Sequence, residues 1–204
     1  MSNNNRRVRR RLNVPLNLTN YRKNTKHMYI HHRSANNNFP SEYTNLPREI
    51  GSFKQLESLS LTGHRLTSLP KEIGLCTNLK RLEVMFCNLE SLPKEIGNLK
   101  KLEELELNDN KLRTLPKEIG LCKNLKRIVL DENIMESLPK EIGDLKKLEK
   151  IYIRADVGSV QNLTSLPKEI GLCTNLKDLY LARSKLTSIP KEIGDLKNLE
   201  FLGL

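Results

Sequence analysis

The dipeptide Leu-Pro, replaced once by Ile-Pro, recurs along this chain at a nearly constant interval. Successive copies are 23, 23, 23, 23, 28 and 23 residues apart, beginning at Leu46, Leu69, Leu92, Leu115, Leu138, Leu166 and Ile189. Self-similarity at such a period predicts a repeat architecture, in which each unit buries its apolar face only against its neighbours. The repeat period is therefore a stronger guide to the fold than any local prediction of secondary structure.

Each unit also contains leucines at alternating positions, as in Leu-x-x-Leu-x-Leu-x-x-Asn-x-Leu from Leu102 to Leu112. Alternation at period two indicates a strand. It predicts seven strands that pair in parallel, at Leu59–Leu61, Leu82–Val84, Leu105–Leu107, Ile128–Leu130, Ile151–Ile153, Leu179–Leu181 and Leu202–Leu204. The inward-turning position after each strand is predicted at His64, Cys87, Asn110, Asn133, Asp156 and Ser184.

The segment Leu-Pro-Lys-Glu-Ile-Gly predicts a short helical or 3₁₀ return between strands. Proline suits the first helical position, and glycine suits a left-handed exit. These motifs resemble the leucine-rich-repeat family over about residues 46 to 204, and the Leu-Pro-x-Glu-Ile-Gly form is most similar to intracellular Ras-group and related bacterial repeat proteins. The resemblance implies an α/β solenoid with a curved parallel sheet and short α or 3₁₀ segments on its convex side. It also implies non-catalytic binding of a protein partner on the concave face.

Positive charge is concentrated at the start of the chain. Residues 1–40 carry nine Lys or Arg and no acid, whereas residues 41–204 carry 26 basic and 24 acidic side chains. We therefore predict a basic, Asn-rich arm at 1–40 and a repeat domain at 41–204, with about seven repeats and a truncated last one. The apolar cluster Met28, Tyr29 and Ile30 predicts a strand that caps the first repeat.

Five arginines of the arm are candidates for binding nucleic acid or another polyanion: Arg6, Arg7, Arg9, Arg10 and Arg11. A solvated tail, a nuclear-import signal and an organelle presequence are alternative interpretations of the same residues. They leave a second function open, in which the arm anchors a structural component of a nucleic-acid-containing or virion-like assembly.

No run of apolar residues is long enough to span a membrane, and no signal-peptide core follows Met1. Cys76, Cys122 and Cys173 stand where other repeats have Leu or Phe, which predicts buried thiols in a reducing compartment. We therefore expect an intracellular, cytoplasmic protein. The sequence has no phosphate-cradling loop and no nucleophile–base motif, so no enzyme activity or cofactor is predicted. His27 and His31 have the i, i+4 spacing of two metal ligands on a helix, but no further ligands accompany them, so no metal is predicted.

The strand alternation selects the residues that point away from the core on the predicted concave face. Aromatic residues are favoured anchors of protein interfaces, although they also pair well within sheets. Glu83 beside Glu106 favours a basic partner, or the arm itself. The predicted partner-binding residues are Glu83, Met85, Phe86, Glu106, Val129, Tyr152, Arg154 and Tyr180.

Two further surfaces are candidates for contact. Five extra residues lie between Ile153 and Leu163, which predicts either a tolerated bulge or a protruding contact loop. The strand that ends at Leu204 has no predicted neighbour, so either something else covers its leucines and its edge, or the chain is naturally short and less stable there.

Overall fold

Most of the parallel strands of this chain form a single open sheet. The computed structural model describes residues 14–15, 18–19, 21–31, 43–156 and 161–204. The ten strands found there, numbered β1 to β10 in chain order, are Val14–Pro15, His27–His31, Tyr43–Asn45, Ser58–Thr62, Arg81–Met85, Glu104–Glu106, Arg127–Val129, Lys150–Tyr152, Asp178–Tyr180 and Phe201–Gly203. Eight of them pair in the order β10-β9-β8-β7-β6-β5-β4-β2, and β1 pairs with β3 in a separate two-stranded sheet. The predicted leucine-rich-repeat solenoid, with its parallel sheet, is confirmed.

The seven predicted strands are all present, and an eighth precedes them. Strand β2 pairs with β4 in register, with Met28 opposite Leu59. Met28 is fully buried and caps the first repeat from the side where no other repeat stacks. The predicted strand at Met28 to Ile30 is therefore confirmed, and it lies within the segment assigned to the arm.

Each Leu-Pro step leads into a 3₁₀ helix, as the motif predicts. The prolines precede the helices in an extended conformation, with φ of −69° at Pro70 and −65° at Pro116. The isoleucine of each motif is buried at 9% exposure or less. The helices are Arg48–Ser52, Lys71–Leu75, Lys94–Asn98, Lys117–Leu121, Lys140–Asp144, Lys168–Leu172 and Lys191–Asp195.

The glycine of the motif has a different role from the predicted left-handed exit. Gly63 is the one described glycine with positive φ, and it lies outside this motif. A Cβ built on Gly74 would lie 2.5 Å from the carbonyl oxygen of Glu95, and one on Gly143 would lie 2.4 Å from that of Glu169. At these two positions glycine is therefore required, because the next repeat's backbone approaches too closely for any side chain.

Asparagine amides connect one repeat to the next inside the core. The Asn110 side chain accepts a hydrogen bond from the Leu89 N–H at 2.9 Å and donates to the Val84 carbonyl at 2.7 Å. Asn133 repeats this arrangement with Leu112 and Leu107.

In the next repeat the prediction of Asp156 was wrong, because Gln161 takes the position. Its Oε1 accepts a hydrogen bond from the Met135 N–H at 3.2 Å. The inserted residues therefore lie between Arg154 and Gln161, so the inward-turning position falls five residues later than expected.

The four cysteines are buried and free, as predicted. The Cys76, Cys122 and Cys173 thiols donate to carbonyls of the preceding repeat, Ile50, Ile96 and Ile142 respectively. Each of these cysteines follows a leucine of the 3₁₀ helix that is about half exposed: Leu75, Leu121 and Leu172. The intervening repeats have a polar residue and a buried leucine at these two positions, such as Asn98 and Leu99. The helix layer therefore alternates with a period of two repeats.

Candidate functional site

The sheet has one face packed on the core and one that faces away from it, called here the open face. The strands pair without a shift in register, so side chains of successive repeats form straight rows across it. The central row runs through Tyr29, Ser60, Glu83, Glu106, Val129, Tyr152, Tyr180 and Gly203. The structure thus places the predicted residues Glu83, Glu106, Val129, Tyr152 and Tyr180 in one line.

Three aromatic rings stack on the open face at its β10 side. The Tyr152 and Tyr180 rings have centroids 4.9 Å apart and planes inclined by 20°. The Phe201 ring continues the stack at 4.2 Å from Tyr180, inclined by 16°. Phe201 starts from the neighbouring row and reaches the stack because Gly203, opposite Tyr180, has no side chain.

Two arginines contact the Tyr152 end of this aromatic stack. The guanidinium carbons of Arg127 and Arg154 lie 5.1 and 5.2 Å from the Tyr152 ring centroid. Arg154 is fixed in turn by Asp131, whose Oδ2 accepts hydrogen bonds from Nε at 3.0 Å and from a terminal nitrogen at 2.5 Å. Stacking, cation–π contact and ion pairing therefore hold these rings in place before any ligand arrives.

Val129 lies in the predicted position but contributes differently from the tyrosines. Its register between Glu106 and Tyr152 is as expected. Its side chain, however, is only 2% exposed. A partner on the open face would therefore touch the half-buried tyrosines and not Val129.

Arginines pair with most of the acidic residues of the open face. Glu104 accepts from Arg81 Nε at 2.8 Å, and Glu106 pairs with Arg127 at 3.5 Å. Glu83 lies 3.8 Å from Arg81, and Asp131 is held by Arg154. The repulsion expected between Glu83 and Glu106 is thus relieved by arginines in the adjacent row. These pairs leave Asp109, beyond the end of β6, without an ion pair among the described residues.

Residues with positive φ follow the strands in five repeats and form a second feature that sequence reasoning missed. This left-handed row consists of Gly63, Phe86, Asp109, Glu132 and Arg183, with φ of 79°, 51°, 55°, 52° and 62°. A left-handed conformation costs an L-residue about 1–2 kcal/mol. It is least expected for a bulky residue such as Phe86, which is 59% exposed. Backbone strain of this kind is often concentrated at functional positions.

Asp109 occupies an electrostatically unfavourable position in this row. Partial burial raises the pKa of its carboxyl group, and the charges of Glu132, Asp156 and Asp131 raise it further. Among the described residues no basic group forms an ion pair with it. Its neighbour Glu132 accepts a short hydrogen bond from the backbone N–H of Asp156.

The two ends of the insertion lie beside the aromatic stack. Gln161 is fully buried, and its Nε2 donates to the Arg154 carbonyl at 2.9 Å. The chain therefore leaves and re-enters the repeat at neighbouring points, next to the arginine that covers Tyr152. Residues 157–160 of the insertion and the arm candidates Arg6, Arg7, Arg9, Arg10 and Arg11 lie outside the described residues.

A serine–histidine pair lies on the open face near β2. His31 Nε2 is 3.0 Å from Ser60 Oγ. Ser60 is 1% exposed, so a substrate cannot reach its hydroxyl, and the pair joins β2 to β4.

Burial raises the pKa of the Cys76, Cys87 and Cys122 thiols to about 11 and that of Cys173 to about 12.

Metal-binding clusters and membrane-spanning helices are both missing from the described residues. Within them no three His, Cys, Asp or Glu side chains gather in a way that could hold a metal ion. In the same part of the chain, none of the helices has the length and apolar character needed to cross a membrane.

Comparisons with known proteins agree with this architecture. Residues 84–168 match the family model of a leucine-rich repeat region. The repeats are leucine-rich repeats. The leucine-rich-repeat assignment thus rests on a sequence model as well as on the strand register, while the Ras-group form remains a prediction.

Solved leucine-rich-repeat structures resemble the chain over most of its length. A leucine-rich-repeat protein of Leptospira interrogans is 43% identical, with a TM-score of 0.72 over 79% of this chain and 40% of the other. The leucine-rich-repeat domain of the type III effector XopL is 25% identical, with a TM-score of 0.66 over 89% and 69%.

The leucine-rich-repeat ectodomain of an Arabidopsis thaliana receptor kinase, solved in complex with CASPARIAN STRIP INTEGRITY FACTOR 2, is 34% identical, with a TM-score of 0.67 over 78% of this chain and 19% of the other. This chain thus spans less than half the length of the Leptospira and Arabidopsis structures. No curated protein resembles the sequence closely enough to count as a relative.

Proposed function

We propose that this chain is a non-catalytic module that binds a protein partner on its open face, with the aromatic stack as the main contact. The observation that carries the proposal is the stack itself: Tyr152, Tyr180 and Phe201 lie on the side of the sheet that the core does not use. Buried leucines hold the repeats together on the opposite side. The rings are therefore not needed to fill the core.

The fixed geometry of these rings favours binding. Tyrosine offers a large contact area and a hydroxyl group with few rotatable bonds, so ordering it costs little entropy on binding. Here the neighbouring ring and the Arg154–Asp131 pair already restrict Tyr152. A partner would thus meet a preorganised surface, which is a common way to gain affinity.

Similar structures support the same class of function. The Arabidopsis receptor ectodomain was solved with a bound integrity factor, and a plant peptide hormone receptor that is 31% identical was solved with the hormone RGF2, with a TM-score of 0.61 over 87% of this chain and 33% of the other. Those partners belong to those proteins. They support the general expectation that a protein of this fold can bind another factor.

The test compares the wild-type chain, Tyr152→Ala/Tyr180→Ala, and the control Leu121→Ala/Leu172→Ala as baits for proteins from the source cells. The control removes exposed apolar side chains of similar extent from the helix side. We expect partners retained by the wild type and the control to be lost from the tyrosine variant, at a cost in affinity of about 2 kcal/mol or more. Equal capture by all three baits, with the folds intact, would overturn the proposed site.

A further inference from the structure

Half-exposed leucines recur on the helix side of the repeats, away from the open face. They are the last residues of the 3₁₀ helices in alternate repeats: Leu75, Leu121 and Leu172. Two strand intervals of about 4.8 Å separate each leucine from the next, which is roughly 10 Å at the sheet. The repeats between them have Asn98 or Asp144 at the same position. The leucines therefore form separate apolar points and not one continuous patch.

Two lysines accompany each of these leucines. One is exposed and starts the same helix four residues earlier; the three are Lys71, Lys117 and Lys168. The other belongs to the preceding repeat and donates a hydrogen bond to the carbonyl of the leucine: Lys54 to Leu75 at 3.3 Å, Lys100 to Leu121 at 3.3 Å and Lys146 to Leu172 at 2.8 Å. In the described part of the chain, none of these lysines forms an ion pair with a carboxylate. Each leucine and its two lysines are called here a leucine–lysine unit.

The helix side is positively charged even though a glutamate follows each helix-starting lysine. Glu72, Glu118 and Glu169 are partly buried, whereas the lysines before them are exposed. A Cβ built on Gly97 would lie 2.9 Å from the Cβ of Glu118, so this glutamate packs against the preceding repeat. The ten-residue segments that begin at the proline of each Leu-Pro or Ile-Pro step carry 14 Lys or Arg and nine Asp or Glu. The helix side thus has an excess of five positive charges.

We propose that the helix side binds the surface of a membrane that contains anionic lipids. The leucines of the three leucine–lysine units would lie at the boundary between headgroups and acyl chains, and the lysines would contact lipid phosphates. Binding of this kind increases with the apolar area that is buried and with the attraction of basic side chains to anionic lipid. Both contributions are present in each unit.

The separation of the leucines favours a lipid surface over other anionic partners. Nucleic acid offers phosphates to the lysines but would leave the leucines without an apolar partner. Protein interfaces concentrate their strongest contacts in one well-packed centre, whereas these leucines are spread over several repeats. Because a bilayer is fluid, each unit can bind it without matching a fixed pattern of side chains.

The repeats supply a substitution for the leucines that the fold already accepts. Leu75→Asn/Leu121→Asn/Leu172→Asn copies Asn98, which occupies the same position in an intervening repeat. The apolar control is Tyr29→Ala, which removes a 57% exposed ring from the open face. Loss of binding in the first variant alone would therefore depend on where the apolar side chain lies.

The lysines are tested with a control of equal charge. Lys71→Gln/Lys117→Gln/Lys168→Gln removes one positive charge from each leucine–lysine unit. The control Arg65→Gln/Lys111→Gln/Lys185→Gln removes three exposed positive charges from the stretches that lead from a strand to the next Leu-Pro or Ile-Pro step. Every variant is made in the full chain, so the arginines of the arm contribute equally to all of them.

Flotation with phosphatidylcholine vesicles, with and without phosphatidylglycerol, measures the binding. We expect the wild type to bind only the vesicles that contain phosphatidylglycerol. The leucine and lysine variants should each bind these vesicles about tenfold more weakly or worse, because apolar burial and charge attraction act together. Both controls should stay within about twofold of the wild type, because they leave the units unchanged. Circular dichroism verifies that each variant is folded.

Several results would overturn the inference. Failure of the wild type to bind anionic vesicles would do so directly. Full binding by the leucine variant would show that charge alone, from the lysines or the arm, explains the attraction. Binding of a homopolymeric RNA that the lysine variant loses, without any binding of vesicles, would assign the surface to nucleic acid.

The aromatic stack lies on the open face, so the two proposals can fail separately. Capture of partners from a membrane-free extract tests the stack, and vesicles test the helix side. Vesicle binding that is lost with the leucine variant and kept with Tyr152→Ala/Tyr180→Ala supports the helix side whatever the stack binds. Equal loss with both variants would overturn the assignment of the contact to the leucine–lysine units.

Discussion

Gly203 lies opposite Tyr180 in the sheet, and its missing side chain leaves the space in which Phe201 stacks on Tyr180. A Cβ at this position would lie 2.9 Å from Phe201 Cε1 and 3.3 Å from Tyr180 Cδ1. We expect Gly203→Ala to displace the Phe201 ring without unfolding the chain, because the nearest contact is a mobile side chain. Near-ultraviolet circular dichroism should lose the signal of coupled aromatics, whereas far-ultraviolet spectra should stay unchanged. An unaltered aromatic signal would contradict the assigned packing.

Two glycines of the Lys-Glu-Ile-Gly motif should respond oppositely to the same substitution. Gly143→Ala would drive a Cβ to 2.4 Å from a backbone oxygen, whereas a Cβ at Gly194 would have no atom within 4 Å. We expect Gly143→Ala to destabilise the fold by about 3 kcal/mol or more, since backbone must move. Gly194→Ala should be neutral or stabilising by up to about 1 kcal/mol. Urea unfolding of both variants measures the difference, and equal effects would refute the close-approach explanation.

Asn110 should contribute more to stability than its small size suggests. Asn110→Ala removes the partners of the buried Leu89 N–H and Val84 carbonyl, with an expected cost of about 3 kcal/mol. Asn88→Ala, at a partly exposed site in the preceding repeat, should change stability by less than about 0.5 kcal/mol. Thermal unfolding of the two variants provides the comparison. A loss of similar size in both would show that the amide does not connect the repeats.

Because the thiols are buried, we expect them to react slowly with labelling reagents and the fold to lose stability at alkaline pH. Their pKa values are raised from about 9 to about 11 or 12 in the folded state, so the folded chain holds protons that the unfolded chain releases. Stability from these groups is complete below pH 9 and falls as the pH rises towards 11, by up to about 1.4 kcal/mol per pH unit per thiol. Thiol labelling of Cys76, Cys122 and Cys173 at pH 8 should be slow without denaturant. Rapid labelling of all three would place them outside the core.

The arginine-rich start of the chain remains a proposal for contact with polyanions. Residues 6–11 contain five arginines and no acid. If they bind nucleic acid, deletion of residues 1–11 should abolish that binding and leave the melting temperature of the repeats unchanged. Electrophoretic mobility shifts at two salt concentrations would measure the effect, because charge-driven binding weakens steeply with salt. Binding that survives the deletion would move the site to the repeats.

The strand rows were predictable because a period of two fixes which side chains share a face. That is why Tyr152, Tyr180, Glu83 and Glu106 were placed correctly on one line. Burial within that face was not predictable, since the alternation assigns Val129 and Tyr152 to equivalent positions although Val129 is buried and Tyr152 is partly exposed. The alternation places Phe201 in the neighbouring row, opposite Asp178, and nothing in a one-dimensional pattern shows its ring leaning over Gly203.

Other differences between prediction and structure lie at residues whose role depends on their neighbours. Gln161 stands two positions before Leu163, as Asn110 stands before Leu112, so counting back from the leucine would have identified it. The motif glycine was interpreted through its own conformation, but its role depends on the glutamate of the next repeat. The left-handed row follows from how the chain leaves each strand, and Phe86 has no sequence signal for positive φ.

The two-repeat alternation of the helix layer limits how such a chain can change its length. Leu75, Leu121 and Leu172 are separated from one another by a repeat with a polar residue at that position. Gain or loss of a single 23-residue unit within this stretch would bring two leucine-bearing turns side by side and create a larger exposed apolar surface. Duplication of a 46-residue pair would preserve the alternation. In genetic terms, insertion or deletion of a pair of repeats is the length change that this alternation tolerates.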